Sequence, residues 1–337
     1  MPASDQPMLI LSMGEPMVEL FAEEPGPLHK ASRFVRGFGG DTSNFAVAVA
    51  RLGGRAAYLC RVGGDEFGHA LRELWNREGV DISRVKVVPG GFTAVYFISW
   101  REDGTHEFTY FRQGSAASTL QPSDLSPEQF RNVRLFHVSG ITQAISLSAC
   151  DAAFRAMELA RQAGAWISYD PNFRPRLWPP ARARAVMLES IRQADVVTPN
   201  REEAALLTGT EDPEQAVSSL LALGPRIVAL KLGPEGCLVG TRDGQRIRVS
   251  PPAVQTVDTG GAGDTFDAAF AIGLVGGWAL TEVARFATAA GALTTAGKGC
   301  VAPIPTRAAV EAAMAGTTND ARRPPAAQSS GRDGKGE

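Results

Sequence analysis

Asp258-Thr259-Gly260-Gly261-Ala262-Gly263-Asp264-Thr265-Phe266 follows a strand-like, proline-broken segment (246–257) and opens a helical pattern over 265–275, ended by Gly276-Gly277. Glycines 260, 261 and 263 carry no Cβ, so the backbone there can close on a ligand. Amides at a helix start lack intrahelical acceptors and sit at the positive end of the dipole, which suits an anion. Asp264 puts a carboxylate at the same terminus. Amides that steady a moving phosphoryl group, beside a carboxylate that accepts a hydroxyl proton, suit phosphoryl transfer. A glycine-rich turn with Asp264 as a helix cap is the plainer alternative, and this segment alone leaves both open.

Outward from this segment, strand-length apolar runs recur at 8–13, 56–62, 135–138, 165–169, 196–198, 227–232 and 237–240. Helix-period segments lie between many of them, at 44–52, 67–78, 148–163, 181–194, 202–207 and 213–223. The alternation predicts an α/β fold: a central, mostly parallel sheet with helices on both faces. Two regions break the rhythm. Segments 18–22 and 29–36 flank Pro25-Gly26-Pro27, and 93–101 and 105–112 alternate like a hairpin around Glu102-Asp103-Gly104. Together they predict a small β-sheet lid. One domain is therefore expected over 8–315, with lid strands at about 15–36 and 92–112 inserted; the polar stretch 316–337 reads as a disordered tail.

Composition excludes several classes. With 337 residues, 44% hydrophobic and 21% charged, the chain has ample core material. A net charge of −2 gives no field for nucleic acid or an anionic membrane. No apolar run reaches the ~20 residues of a membrane helix, and Met1–Gly14 lacks a basic leader. Cys60, Cys150, Cys237 and Cys300 are far apart, as expected of reduced thiols in the cytoplasm. The four histidines form no HExxH or other ligand pair. Gly297-Lys298-Gly299 fails as a phosphate loop, Gly261-Ala262-Gly263 lacks the third glycine of a dinucleotide fingerprint, and Ser139-Gly140 lacks the first glycine of a nucleophile elbow.

The 258–266 segment resembles the C-terminal signature of the ribokinase-like (PfkB) carbohydrate kinases. Gly39-Gly40-Asp41-Thr42-Ser43-Asn44, entering a helix that stops at Gly53, resembles the family's N-terminal signature. The two occur in the family's order, and the likeness runs from about 9 to 315. Asn200-Arg201-Glu202-Glu203 resembles the family's NxxE motif, the 231–236 segment its nucleotide-side turn, and 289–299 the flank of its adenine pocket. The resemblance implies a ribokinase-like fold and an enzyme using ATP and Mg²⁺. It implies that Asp264 is the catalytic base and that Gly261, Ala262 and Gly263 form the anion hole. It assigns the nucleotide to Thr198, Asn200, Lys231, Gly233, Gly236, Gly261, Gly263, Ala289 and Ala292. Asn200 and Glu203 would position Mg²⁺ through water, although Glu203 also reads as a solvated helix face. Asp258 and nearby carbonyls would hold a monovalent cation, K⁺, as in some relatives.

For the acceptor, GGDTSN resembles the 2-keto-3-deoxygluconate kinase branch. So do Thr93–Tyr96, Tyr110-Phe111-Arg112 with Ser115–Ser118, and Asp170–Trp178, where Phe173 stands at a position usually Tyr. An acidic sugar calls for guanidinium partners, which grip a carboxylate as a planar fork. Arg112 and Arg174 come from separate elements that could converge, with Tyr96 and Tyr110 over the sugar and Gly40, Asp41 and Asn44 at its hydroxyls. Each has a plainer alternative: Arg112 as a surface residue, Arg174 on the ATP phosphates, the tyrosines as lid packing, Asp41 as a cap. The implied reaction is ATP plus 2-keto-3-deoxygluconate to ADP and the 6-phosphate, with the hydroxyl at Asp264. A neutral-sugar kinase of fructokinase or ribokinase type is the alternative, and a non-catalytic sugar- or nucleotide-binding regulator is a distant one. The exposed lid edges predict a homo-oligomer, a dimer through the lid as in relatives.

Overall fold

The computed structural model describes residues 8–101 and 105–320. Its strands are β1 (Leu9–Met13), β2 (Met17–Ala22), β3 (Phe34–Gly39), β4 (Arg55–Gly63), β5 (Asp81–Val88), β6 (Val95–Trp100) and β7 (His106–Phe111). The series continues with β8 (Val133–Ser139), β9 (Trp166–Asp170), β10 (Val196–Val197), β11 (Ile227–Lys231), β12 (Cys237–Thr241) and β13 (Arg246–Val249).

Nine strands form one sheet in the order β13-β12-β11-β10-β9-β8-β1-β4-β5. It is parallel from β11 through β5 and antiparallel across β11-β12-β13. β1 is buried along its whole length, as a parallel strand covered on both faces must be. Helices Asp41–Arg51, Ala262–Val275 and Leu280–Thr294 cover one face through Phe45, Phe270 and Phe286. Helices Leu147–Gln162, Pro180–Gln193 and Pro213–Leu221 cover the other through Met157, Met187 and Leu220. The remaining four strands make a separate small sheet, β3-β2-β6-β7, which is the expected lid. No helix among the described residues is long and apolar enough to cross a membrane.

The structure differs from the sequence expectations at element edges. β5 was not expected; it is a half-exposed edge strand with no apolar run to betray it. The second lid strand, expected over 29–36, begins at Phe34, because Leu28–Lys30 form a single 3₁₀ turn. Its far end runs to Gly39, so the GGDTSN motif is a strand-to-helix switch with Gly40 as N-cap of Asp41–Arg51. Gly40 has φ 93°, and a Cβ there would lie 2.3 Å from the Glu15 carbonyl, so only glycine fits. The Glu102–Gly104 turn lies outside the described residues. Helix Arg307–Asp320 runs past the expected boundary at 315, and the rest of the expected tail lies outside the described residues.

Candidate active site

Ligand sites of open α/β sheets lie beyond the carboxyl ends of parallel strands. The end of β1 leads to Glu15, that of β9 holds Asp170, that of β10 leads to Thr198 and Asn200, and that of β11 holds Lys231. Helices Asp41–Arg51 and Ala262–Val275 point their N-termini at this edge. Asn44 Nδ2 donates to Asp264 Oδ2 at 2.8 Å, tying the two motifs together.

Behind Asp264 lies a web of buried charge. Lys231 Nζ donates to Asp170 Oδ2 at 3.0 Å and to both oxygens of Asp267 at 3.3 Å. Asn172 donates its backbone amide to Asp170 Oδ1 (3.1 Å) and its side-chain amide to Asp41 Oδ2 (3.0 Å). Burial, then the Asp41 and Asp170 charges, push the Asp264 carboxyl up to about 7, against the opposing pull of Asn44 and Lys231. Burial also lifts Asp267 well above the carboxylate range. Burial works against ionised Asp170, yet the Lys231 ammonium holds it below its ordinary value. The same burial disfavours the charge on Lys231, but Asp170, Asp267 and Glu203 more than offset it and keep the ammonium protonated.

The glycine loop at 260–263 sits in front of this web. Gly261 has φ 73°, and a Cβ there would lie 2.5 Å from the Cys300 carbonyl. Ala262 and Gly263 begin the helix, and a Cβ on Gly263 would lie 3.5 Å from Lys231 Nζ. First-turn amides have no intrahelical acceptor, so the loop offers donors with an ammonium behind them. Lys231, at the start of the 231–236 segment, reaches under the loop with its side chain. Asp258 accepts the amides of Gly260 and Gly299, both at 2.9 Å, binding the loop to the 299–301 turn. Its carboxylate and the Cys300 carbonyl are the hard oxygens that an alkali cation takes.

On the nucleotide side, Asn200 caps helix Arg201–Thr208 in a reciprocal box with Glu203. Glu203 also accepts the Phe173 amide at 2.8 Å, and burial followed by the Asp170 charge raises its carboxyl to about 7. Glu203 is buried rather than on a solvated helix face. No group of three or more His, Cys, Asp or Glu among the described residues is placed to hold a metal directly. One carboxylate and one amide fit Mg²⁺ of the kind that keeps its waters and takes phosphate oxygens. Gly233 (φ 60°) lies in a 3₁₀ turn after β11, and Gly236 packs so closely on β13 that a Cβ would lie 1.9 Å from the Val249 carbonyl. Ala289 is buried beside a small cavity of about 40 Å³ with Ser250, Pro252 and Arg285, and Ala292 is half-buried one turn on.

The lid supplies the other wall. Tyr96 donates its hydroxyl to Glu19 at 2.6 Å and stacks on Tyr110 with centroids 5.6 Å apart. Arg112 lies over the Tyr110 ring and pairs with buried Glu15. Arg174, after β9, is exposed and donates to the Phe173 carbonyl, while Arg176 donates to Phe108 of the lid. Burial raises the Tyr110 hydroxyl, opposed first by Arg112, whose guanidinium lies 5.6 Å from the ring centroid, and then by the charges of Arg174 and Arg176. Among the described residues, Asp41 Oδ1, Asn44 Oδ1, Arg112 Nε and Thr198 Oγ1 are buried without a hydrogen-bond partner, as are Arg61 Nε, His106 Nε2 and Trp178 Nε1.

The structure thus brings Asp41, Asn44, Asp264, Lys231 and the anion loop together, with Tyr96, Tyr110 and Arg112 on the lid opposite. Sequence reading gave no role to Glu15, Asp170, Asn172 or Asp267. Asp267 carried a signal, lying three residues after Asp264 on the same helix. Glu15 and Asp170 carried a weaker one, at the carboxyl ends of strands.

The family model for pfkB family carbohydrate kinases matches residues 8–307. Fructokinase-2 of Solanum habrochaites is 37% identical over 310 residues, covering 88% of this chain and 93% of that protein. The 2-dehydro-3-deoxygluconokinase of Bacillus subtilis (strain 168) is 35% identical over 302 residues, covering 88% and 92%. A fructokinase double mutant of Vibrio cholerae O395, solved with fructose, ADP and a potassium ion, superposes with a TM-score of 0.82 at 29% identity. That match covers 93% of this chain and all of the other.

Proposed function

The chain belongs to the pfkB family of carbohydrate kinases, and we propose that it phosphorylates the terminal hydroxyl of a sugar acid, 2-keto-3-deoxygluconate, using ATP and Mg²⁺. The observation that carries the acidic acceptor is a set of arginines at the lid: Arg112 lies over the Tyr110 ring, Arg176 donates to the Phe108 carbonyl of the lid, and Arg174 is exposed two residues before Arg176. Among the described residues, neither Arg174 nor Arg176 has a carboxylate partner, so the lid side of the cleft keeps positive charge to meet an anion. The likeness to a 2-dehydro-3-deoxygluconokinase supports the same reading.

In this mechanism the acceptor hydroxyl meets Asp264, whose carboxylate takes the proton as the oxygen attacks. A base with a pKa near the working pH is half ionised there and still a strong enough acceptor. Asn44 orients that carboxylate, and Asp41 with Asn44 Oδ1 meets the sugar hydroxyls. Amides of Gly261, Ala262 and Gly263 receive the charge that builds on the phosphoryl oxygens, with Lys231 behind them. Asn200 and Glu203 would position Mg²⁺ bound with the nucleotide, which would supply further positive charge against the triphosphate. Asp258 would hold K⁺, the ion present in the Vibrio fructokinase structure. Closure of the lid excludes water from the phosphoryl group.

A second reading, a neutral ketose acceptor such as fructose, has its own observation: Arg112 is already neutralised by Glu15. The identity to a fructokinase favours it as well. ADP release measured across 2-keto-3-deoxygluconate, its galactonate epimer, fructose and ribose separates the two. A keto-acid preference that collapses in Arg174→Ala supports the acid kinase; a fructose preference untouched by Arg174→Ala overturns it. A second copy covers the exposed lid residues Phe34, Phe108 and Phe111 to make a dimer; a monomeric mass at micromolar concentration contradicts that.

A further inference from the structure

We propose that Glu15 is a specificity-determining residue, which weakens the hold of Arg112 on acidic acceptors by occupying one end of its guanidinium. The inference rests on the sugar-kinase reading above and concerns how that site ranks acidic against neutral acceptors.

Glu15 follows β1 and Gly14 at the carboxyl edge of the sheet, and its side chain is fully buried. Both oxygens are used: Oε2 by Nη2 of Arg112, and Oε1 by the Ser115 hydroxyl at 3.0 Å. The turn is self-bracing, since the Ser115 amide donates to the Arg112 carbonyl at 3.0 Å. The Glu15 backbone is fixed as well, because its carbonyl packs where a Cβ on Gly40 would be. Glu15 therefore stands between the first residue of the acceptor motif and the lid arginine.

The consequence follows from guanidinium geometry. A carboxylate is gripped by two parallel N–H bonds from one edge of the fork. On the Nε–Nη2 edge, Nη2 is engaged by Glu15, leaving Nε, which is buried and has no partner. That single donor suits a hydroxyl or carbonyl oxygen. A substrate carboxylate approaching it would gain one bond and would face the Glu15 charge. A neutral ketose meets the same donor without that opposition. Glu15 works against acids while Arg174 and Arg176 work for them, and the balance sets the selectivity.

The test is the ratio of kcat/KM for 2-keto-3-deoxygluconate to that for fructose, in wild type and Glu15→Gln. Removing the charge frees the fork while keeping a hydrogen-bonding side chain, and the ratio is expected to rise about tenfold or more in favour of the acid. Ser115→Ala, which loosens Glu15 without removing its charge, is expected to leave the ratio within about threefold of wild type. A structural role would move both acceptors in parallel in both variants, and that result overturns the proposal. Should Glu15→Gln fail to fold, Glu15→Asp carries the same comparison, because the shorter side chain keeps the buried charge but withdraws from Nη2 of Arg112. The ratio rises there too if occupation of the fork sets it, and stays unchanged if it does not. The wild-type ratio is judged separately: a fructose preference removes the acid-kinase reading, while the shift on removing Glu15's charge still decides the present inference.

Discussion

Asn44 and Asp264 stand 220 residues apart in sequence and share a 2.8 Å hydrogen bond in the fold, the amide donating to the carboxylate. The bond joins the N-termini of two helices, so two positive dipole ends meet beside one acid. It also divides Asn44: Nδ2 holds the Asp264 carboxylate, and Oδ1 is buried without a partner among the described residues.

The raised Asp264 carboxyl gives a pH signature. A general base must be ionised, so kcat/KM should climb through an acid limb centred near pH 7, the value to which burial and the Asp41 and Asp170 charges push it. Because these groups are coupled, the limb belongs to the cluster. Asn44→Ala, which removes a bond to the ionised form, should move the limb to higher pH.

Stability runs the opposite way. The folded pKa of Asp264 lies above its ordinary value of 3.8, so the native state binds more protons between 3.8 and about 7. That contribution is fully present below 3.8 and is lost as pH rises through 7. Asp264→Asn escapes the loss, and its Tm relative to wild type should be higher at pH 8 than at pH 5. Equal differences at both pH values would contradict this.

Lys231 should matter to stability as much as to catalysis. Its side chain is 15% exposed, neutralises Asp170 and donates to Asp267. Lys231→Met strands the buried Asp170 carboxylate and should cost about 3–5 kcal/mol in urea unfolding. Lys231→Met/Asp170→Asn should recover part of that loss, because the second change removes the stranded charge.

Gly261→Ala should damage the anion loop. The residue has φ 73°, and the new Cβ would meet the Cys300 carbonyl at 2.5 Å. The expected cost is roughly 1–3 kcal/mol of stability, with a fall in kcat that exceeds any rise in the KM for ATP.

The 258–264 glycine turn and the GGDTSN switch were legible in sequence because their glycines answer to local backbone demands. Gly40 and Gly261 both adopt positive φ against a facing carbonyl. The charge web was not, because Lys231 meets Asp170 and Asp267 across 61 and 36 residues, through strand order that no local pattern encodes. Arg112 was singled out in sequence, yet its partner Glu15 lies 97 residues away on another element. β5 escaped notice because an edge strand open to solvent has no need of an apolar run.

The most direct test of Asp264 as the base at the junction of the two motifs is the kcat of Asp264→Asn, measured as ADP release at saturating ATP and acceptor. The substitution keeps the shape and the hydrogen-bonding reach to Asn44 but removes the proton acceptor. A fall in kcat of about 10²–10⁴ with the fold intact by thermal melting is the predicted result. Turnover within about threefold of wild type would contradict the account.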